Sequence, residues 1–140
     1  MAGKKTMSSA VSFGLLWLRV LAGLGIASHG WQKIAGGFMP KFITGVAEMG
    51  FPMPELFAWA AVLSELVGGA LLVLGLGTRV ASLAVFVTMS VAVFIHHAHD
   101  PMKVKELALA YWTMSGALLL MGGGRYSLGS LVKKKTPSGR

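Results

Sequence analysis

Four apolar stretches occupy most of this chain, and each is interrupted by one charge at most. They run from Val11 to Ser28, Leu56 to Leu76, Val80 to Ile95 and Leu107 to Gly124, within expected spans of about 11–29, 55–76, 79–97 and 106–124. Arg19 is the only charge inside the first and Glu65 the only one inside the second. A helix needs roughly 20 predominantly apolar residues to cross a bilayer, and three of the stretches reach that length directly. The third reaches it if Arg79 snorkels at one end and His96 and His97 sit at the other interface. Only 13% of the 140 residues are charged against 54% hydrophobic, whereas soluble domains carry about 25% charge. The expectation is an all-α fold: a single membrane domain, residues 1–140, built as a four-transmembrane-helix bundle.

The net charge of +8 raises nucleic acid as a partner, but the pattern argues against it. Lys and Arg stand at the ends of the apolar runs and in Lys133, Lys134 and Lys135, as in basic flanks of membrane proteins. Eight lie on the side of the two termini (Lys4, Lys5, Arg79, Arg125, Lys133, Lys134, Lys135, Arg140) and four on the other (Lys33, Lys41, Lys103, Lys105); Arg19 completes the 13. The positive-inside rule then puts both termini, including the basic tail 125–140, in the cytoplasm. Lys4 and Lys5 before an apolar run resemble a signal peptide, but Arg19 lies in that run and Ser28-His29-Gly30-Trp31 ends it, so a retained first helix is expected. The absence of cysteine excludes disulfides, thiolate clusters and thiol nucleophiles.

The long first connection is rich in apolar residues, among them Trp31, Phe38, Phe42, Ile43, Phe51 and Met53. Pro40 can open a short helix and Gly50 close it. That helix either lies in the outer membrane interface or tucks over the bundle as a lid. The segments 69–79 and 116–125 also echo one another, each ending in glycines and an arginine, which suggests two tandem helical hairpins.

Arg19 and Glu65 are the sharpest candidates. A charge near mid-bilayer costs roughly 2.5–3.5 kcal/mol on insertion scales, so two opposite charges in adjacent spans are expected to pair. At about 100° per residue, Ala58, Ala61, Gly68, Gly69 and Leu72 share the face of Glu65, and Ala22, Gly23 and Ile26 that of Arg19. A second set gathers at the outer helix ends: His29, Lys33, His97 and Glu106, with Trp31 and Trp112 as candidate ring-packing residues. Lys33 falls about 40° from Arg19 if the first helix continues past Gly30. His97 continues the stripe of Phe86, Ser90 and Val93, while His96 points elsewhere. The cluster His96-His97-Ala98-His99-Asp100 lacks a standard metal-ligand spacing, so no metal site is expected. Two histidines, His29 and His97, could in principle ligate a haem, but no other residue asks for one. No phosphate loop or nucleophile–base motif is present.

The ordered set Arg19, His29-Gly30-Trp31-Gln32-Lys33, Glu65-Leu66-Val67-Gly68-Gly69, Gly75-Leu76-Gly77-Thr78-Arg79, His97, Glu106 and Gly122-Gly123-Gly124-Arg125-Tyr126-Ser127-Leu128 resembles the DoxX family of bacterial and archaeal membrane proteins. The likeness runs from about Leu15 to Leu131. Gly129 stands where many members carry an acidic residue. The resemblance implies a four-helix bundle in the prokaryotic cytoplasmic (inner) membrane. It further implies an oxidoreductase subunit or accessory of a quinone-linked redox system, with quinone as the candidate cofactor and a redox enzyme as candidate partner besides the lipid bilayer. A homo-oligomer, a non-catalytic assembly module for a partner enzyme and a transporter of protons or small solutes remain alternatives.

Overall fold

A computed structural model describes residues 7–135; the flanking charges Lys4, Lys5 and Arg140 lie outside the described residues. The described chain is all-helical. α1 (Ser9–Ala35), α2 (Met39–Glu48), α3 (Pro54–Leu74), α4 (Thr78–Val91), α5 (Met102–Met121) and α6 (Leu128–Lys135) follow in order. A π-helical turn, Ala92–His96, extends α4. α1 packs chiefly on α3 and α4 chiefly on α5, with α3 beside α4 and α5 returning to α1.

Local chemistry sets these limits. Ser8 caps α1 by accepting a hydrogen bond from the Val11 amide at 3.2 Å, which satisfies one of the unpaired amides of a first turn. Pro54 opens α3, where its missing N–H costs nothing. Gly75 closes α3 with φ of 72°. The Gly75 and Leu76 amides fold back onto the carbonyls of Leu72 and Leu71 at 3.2 and 3.1 Å, a Schellman closure that demands a left-handed residue.

Small residues bring α1 and α3 into backbone contact. A Cβ placed on Gly23 would stand 2.6 Å from the Gly69 carbonyl oxygen, and one on Gly69 2.6 Å from the Ala27 amide nitrogen. A Cβ on Gly30 would stand 2.8 Å from the Leu66 amide nitrogen and 3.0 Å from the Val62 carbonyl oxygen. Such approach is how helices associate in lipid, where apolar surface alone gives no drive. It also fixes the register: Gly23 faces Gly69, and Gly30 faces 62–66.

The molecule is apolar outside, and its largely apolar core encloses several polar groups. Phe13, Trp17, Leu21 and Leu24 of α1, Val67 of α3, Val87 of α4 and Leu120 of α5 are exposed, while Ser12, Arg19, Glu65, Thr78, Ser82 and Ser115 are buried. Water-soluble proteins do not expose contiguous apolar surface on this scale. Three helical stretches, Ser9–Ala35, Pro54–Leu74 and Thr78–His96, are long and apolar enough to cross a membrane. α5 has 20 residues, but Lys103, Lys105 and Glu106 dilute its first turns and Tyr111, Trp112 and Thr113 its middle. It is not among those three, so three of the four expected crossings are long and apolar enough to span a membrane.

The helix expected from Pro40 to Gly50 is α2. Met39 and Val46 bury against Ala58 and Val62 of α3, with Phe42, Ile43 and Met49 beside them, while Lys41, Thr44 and Glu48 remain exposed. α2 therefore closes over the end of the bundle, as a lid would, with one polar face outward.

Candidate functional site

Among the described residues two charged side chains are buried, and they do not meet. Arg19 is 1% exposed and Glu65 4%, but the expected pair between them does not form. The antiparallel register is the reason. With Gly23 on Gly69, Arg19 lies beside Val73, eight residues beyond Glu65 and so about 12 Å away along α3 at 1.5 Å per residue. Arg19 instead donates to carbonyl oxygens alone: Nη1 to Leu72 and Val73 at 3.0 and 2.7 Å, Nε to Gly123 at 3.2 Å and Nη2 to Tyr126 at 2.5 Å. The last carbonyls of a helix lack intrahelical partners and carry its negative pole. A planar five-donor fork is suited to gathering several of them. Arg19 thus closes α3 and ties it to the segment that follows α5. Arg79 acts similarly at the other outgoing helix, donating from Nη2 to the Leu120 carbonyl at 3.2 Å.

Glu65 is held by Lys33. α1 continues past Gly30 to Ala35, so Lys33 stands on the inner face of α1, about a turn beyond Glu65. Its Nζ lies 2.7 Å from Oε1 and 2.5 Å from Oε2. It also sits 4.5 Å from the centre of the Phe42 ring of α2, a cation–π contact that binds the lid to the pair. The Glu65 side chain is 5% exposed and that of Lys33 23%.

This pair faces a cavity of about 750 Å³ between α1, α2, α3, α4 and α5, within the usual range for small-molecule sites. Its walls are mainly Ile26, Phe42, Val46, Phe57, Ala60, Ala61, Met89, Leu107 and similar residues. Its polar groups are Lys33, Glu65, His29, Ser64, Thr88, Tyr111, His96 and His97. The Thr88 hydroxyl donates to the Ser64 hydroxyl at 3.0 Å. The His29 and Tyr111 rings meet edge to face at 5.7 Å. His97 Nδ1 is 2.7 Å from Asp100 Oδ2, which orients the imidazole. Leu83, Val87 and Val80 also line the cavity and are exposed, so it continues to the apolar flank of α3 and α4.

Of the residues named from sequence, His29, Lys33, Glu65 and His97 line this cavity. Arg19, Glu106, Trp31 and Trp112 do not. Glu106 is exposed because it opens α5 on the outward side, and Trp31, 59% exposed, is on the lipid side of α1. Trp112 is packed between Phe86 and Phe94 and donates from Nε1 to the Ser90 hydroxyl at 3.0 Å. His96, read as pointing away, lines the cavity with its ring 4.5 Å from that of His97. The π turn explains it: the His97 amide bonds the Ala92 carbonyl five residues back at 2.9 Å, so a count at 100° per residue slips there. Such single π turns gather at functional sites. Tyr111 has no distinguishing motif around it in the sequence. Its signal was Gly25, where any side chain would run into the Tyr111 hydroxyl.

An all-α bundle with an apolar exterior, buried charges and a cavity of ligand size open to the apolar flank defines an integral membrane protein. The chain belongs to the DoxX family, whose model matches residues 14–98. Inner membrane protein YphA of Escherichia coli (strain K12) is similar, 34% identical over 123 residues, a stretch covering 81% of this chain and 86% of that protein. No solved structure matches significantly.

Proposed function

We propose that this protein binds a lipid-soluble quinone in the Lys33–Glu65 cavity and serves as an accessory or subunit of a quinone-linked redox system. The observation that carries this reading is the bidentate ion pair of Lys33 and Glu65 set into an otherwise apolar cavity. Sites for small apolar ligands combine such walls with a few convergent polar groups. The cavity fits the group in kind, since the apolar wall suits a ring and isoprenoid chain and Lys33, Tyr111 and His29 offer donors for ring oxygens. When bound, a quinone supplies two-electron, two-proton chemistry. The chain's own part is to orient the ring, exclude water with α2 and hold protons at Glu65, His96 and His97, the last steadied by Asp100.

The setting for this role is a single membrane domain in a prokaryotic cytoplasmic membrane, in line with the inner-membrane name of the relative. α5 acts as the fourth crossing, running beside α4, and both termini lie in the cytoplasm. The basic groups Arg79, Arg125, Lys133, Lys134 and Lys135 at the end that holds the termini support that orientation.

Titration of the purified protein with ubiquinone and menaquinone analogues tests the reading. Saturable binding that weakens in Glu65→Gln is expected. Absence of binding, or a titration unchanged by Glu65→Gln, refutes it.

A further inference from the structure

Charge is segregated along this molecule. The chain has five Asp and Glu residues in all, Glu48, Glu55, Glu65, Asp100 and Glu106. One is paired in the cavity, and the other four stand on α2, at the start of α3, after α4 and at the start of α5, all at the outer end. The opposite end holds Arg79, Arg125, Lys133, Lys134 and Lys135 without a single side-chain carboxylate. Among the described residues, no ion pair involves these cations.

α6 carries three of them. The Gly129 amide donates to the Gly75 carbonyl at 3.0 Å, and a Cβ at Gly129 would stand 3.0 Å from that same oxygen, so one side of α6 is docked on the end of α3. At about 100° per residue, Leu128, Leu131 and Val132 share the neighbouring face, Lys133 and Lys134 stand on its two flanks, and Lys135 closes that face at the end of the helix. Those three apolar residues are 42%, 51% and 60% exposed. A short helix with an exposed apolar face bordered by lysines, directly after the last long helix, matches the chemistry of an interfacial anchor. Lysine stems can bury along acyl chains while their ammonium groups reach the phosphates.

We infer that α6 is an in-plane anchor that binds anionic phospholipid, with Lys133, Lys134 and Lys135 on the headgroup phosphates and Leu128 and Leu131 among the acyl chains. This is independent of the cavity and of its ligand. The docked amide at Gly129 and the Arg19 bonds to Gly123 and Tyr126 hold the anchor rigidly to the ends of α3 and α5.

The test is a native mass-spectrometric titration of the full-length, detergent-solubilised protein with phosphatidylglycerol and, separately, phosphatidylcholine. Phosphatidylglycerol should bind more tightly. The triple variant Lys133→Gln/Lys134→Gln/Lys135→Gln should lose on the order of 100-fold in affinity, from roughly fivefold per lysine, while phosphatidylcholine binding stays the same. The pair Leu128→Ser/Leu131→Ser, with all lysines intact, should weaken both lipids. Equal affinity for the two lipids refutes the anchor, as does preference for phosphatidylglycerol that survives the triple variant with unchanged helicity. Loss of a stoichiometric protein partner in the triple variant, without change in lipid binding, refutes it in favour of a protein dock.

Discussion

Lys33 of α1 spans the gap to α3 and holds both carboxylate oxygens of Glu65, at 2.7 and 2.5 Å. Removing one member of a buried pair strands the other and costs about 3–5 kcal/mol, whereas replacing both with apolar residues is often close to neutral. Lys33→Met and Glu65→Leu should therefore each lower the thermal stability of the detergent-solubilised protein by about that amount. The combined Lys33→Met/Glu65→Leu variant should regain most of the loss. A double variant as unstable as the singles would contradict this.

Arg19 and Glu65 are about 12 Å apart along the helices and share no partner, so their substitutions should act independently. In a double-mutant cycle, Arg19→Gln and Glu65→Gln should add to within about 0.5 kcal/mol. Arg19→Lys alone should already cost about 1.5–3 kcal/mol, because an ammonium cannot reach four carbonyls spread over two helix ends. Coupling well above 0.5 kcal/mol would restore the direct ion pair.

The α1–α3 contact admits no added atoms at Gly69, where a Cβ meets the Ala27 amide at 2.6 Å and the Gly23 carbonyl at 2.7 Å. Gly69→Ala should destabilise by about 1–3 kcal/mol through forced separation of the helices. Gly14→Ala is the control: nothing lies within 4 Å of its Cβ, and the helix gains about 0.5–1 kcal/mol. Unfolding midpoints of the two variants should move in opposite directions.

Tyr111 lines the cavity, while Trp31 is on the outer flank of α1. Tyr111→Phe should weaken quinone-analogue binding about tenfold, the worth of one hydrogen bond of about 1.4 kcal/mol. Trp31→Phe should leave the same titration unchanged. A reversed order would move the ligand to the lipid-facing surface.

Much of this arrangement can be read from residue order, and the part that cannot has a common cause. Hydropathy locates α1, α3 and α4, Pro40 and Gly50 mark the limits of α2, and glycines mark the end of α3. The small residues around Glu65 and Arg19 identified the faces that bury: Ala22, Gly23, Ala58, Gly68, Gly69 and Leu72 are all inside. Periodicity, however, gives angle around a helix and not height along its neighbour. Arg19 and Glu65 each sit on the right face but at different levels, and only the Gly23–Gly69 contact sets those levels. The same gap explains Lys33, which stands about a turn beyond Glu65 on an α1 that runs on through Gly30 and reaches back with its side chain. At His96 even the angle fails, since one π turn shifts the phase without any marker residue. Glu106 and Trp31 were grouped with the site because they lie at the outer ends, which fixes depth and leaves direction open.

The length of α1 has a mechanical consequence. Its 27 residues extend about 40 Å at 1.5 Å per residue, against about 30 Å for a hydrocarbon core, while the 21 residues of α3 nearly match that core. The apolar run of α1, 11–29, is close to the core thickness, so the excess of α1 stands beyond the core. A bilayer that thickens or thins changes how much of that excess it covers, relieved by tilt or by exposing a turn. Sliding one rod past the other is blocked where Gly23 and Gly69 interlock. Thickness changes are thus taken up by leaning α1 and α3 as one body, which keeps Lys33 within reach of Glu65 in membranes of different composition.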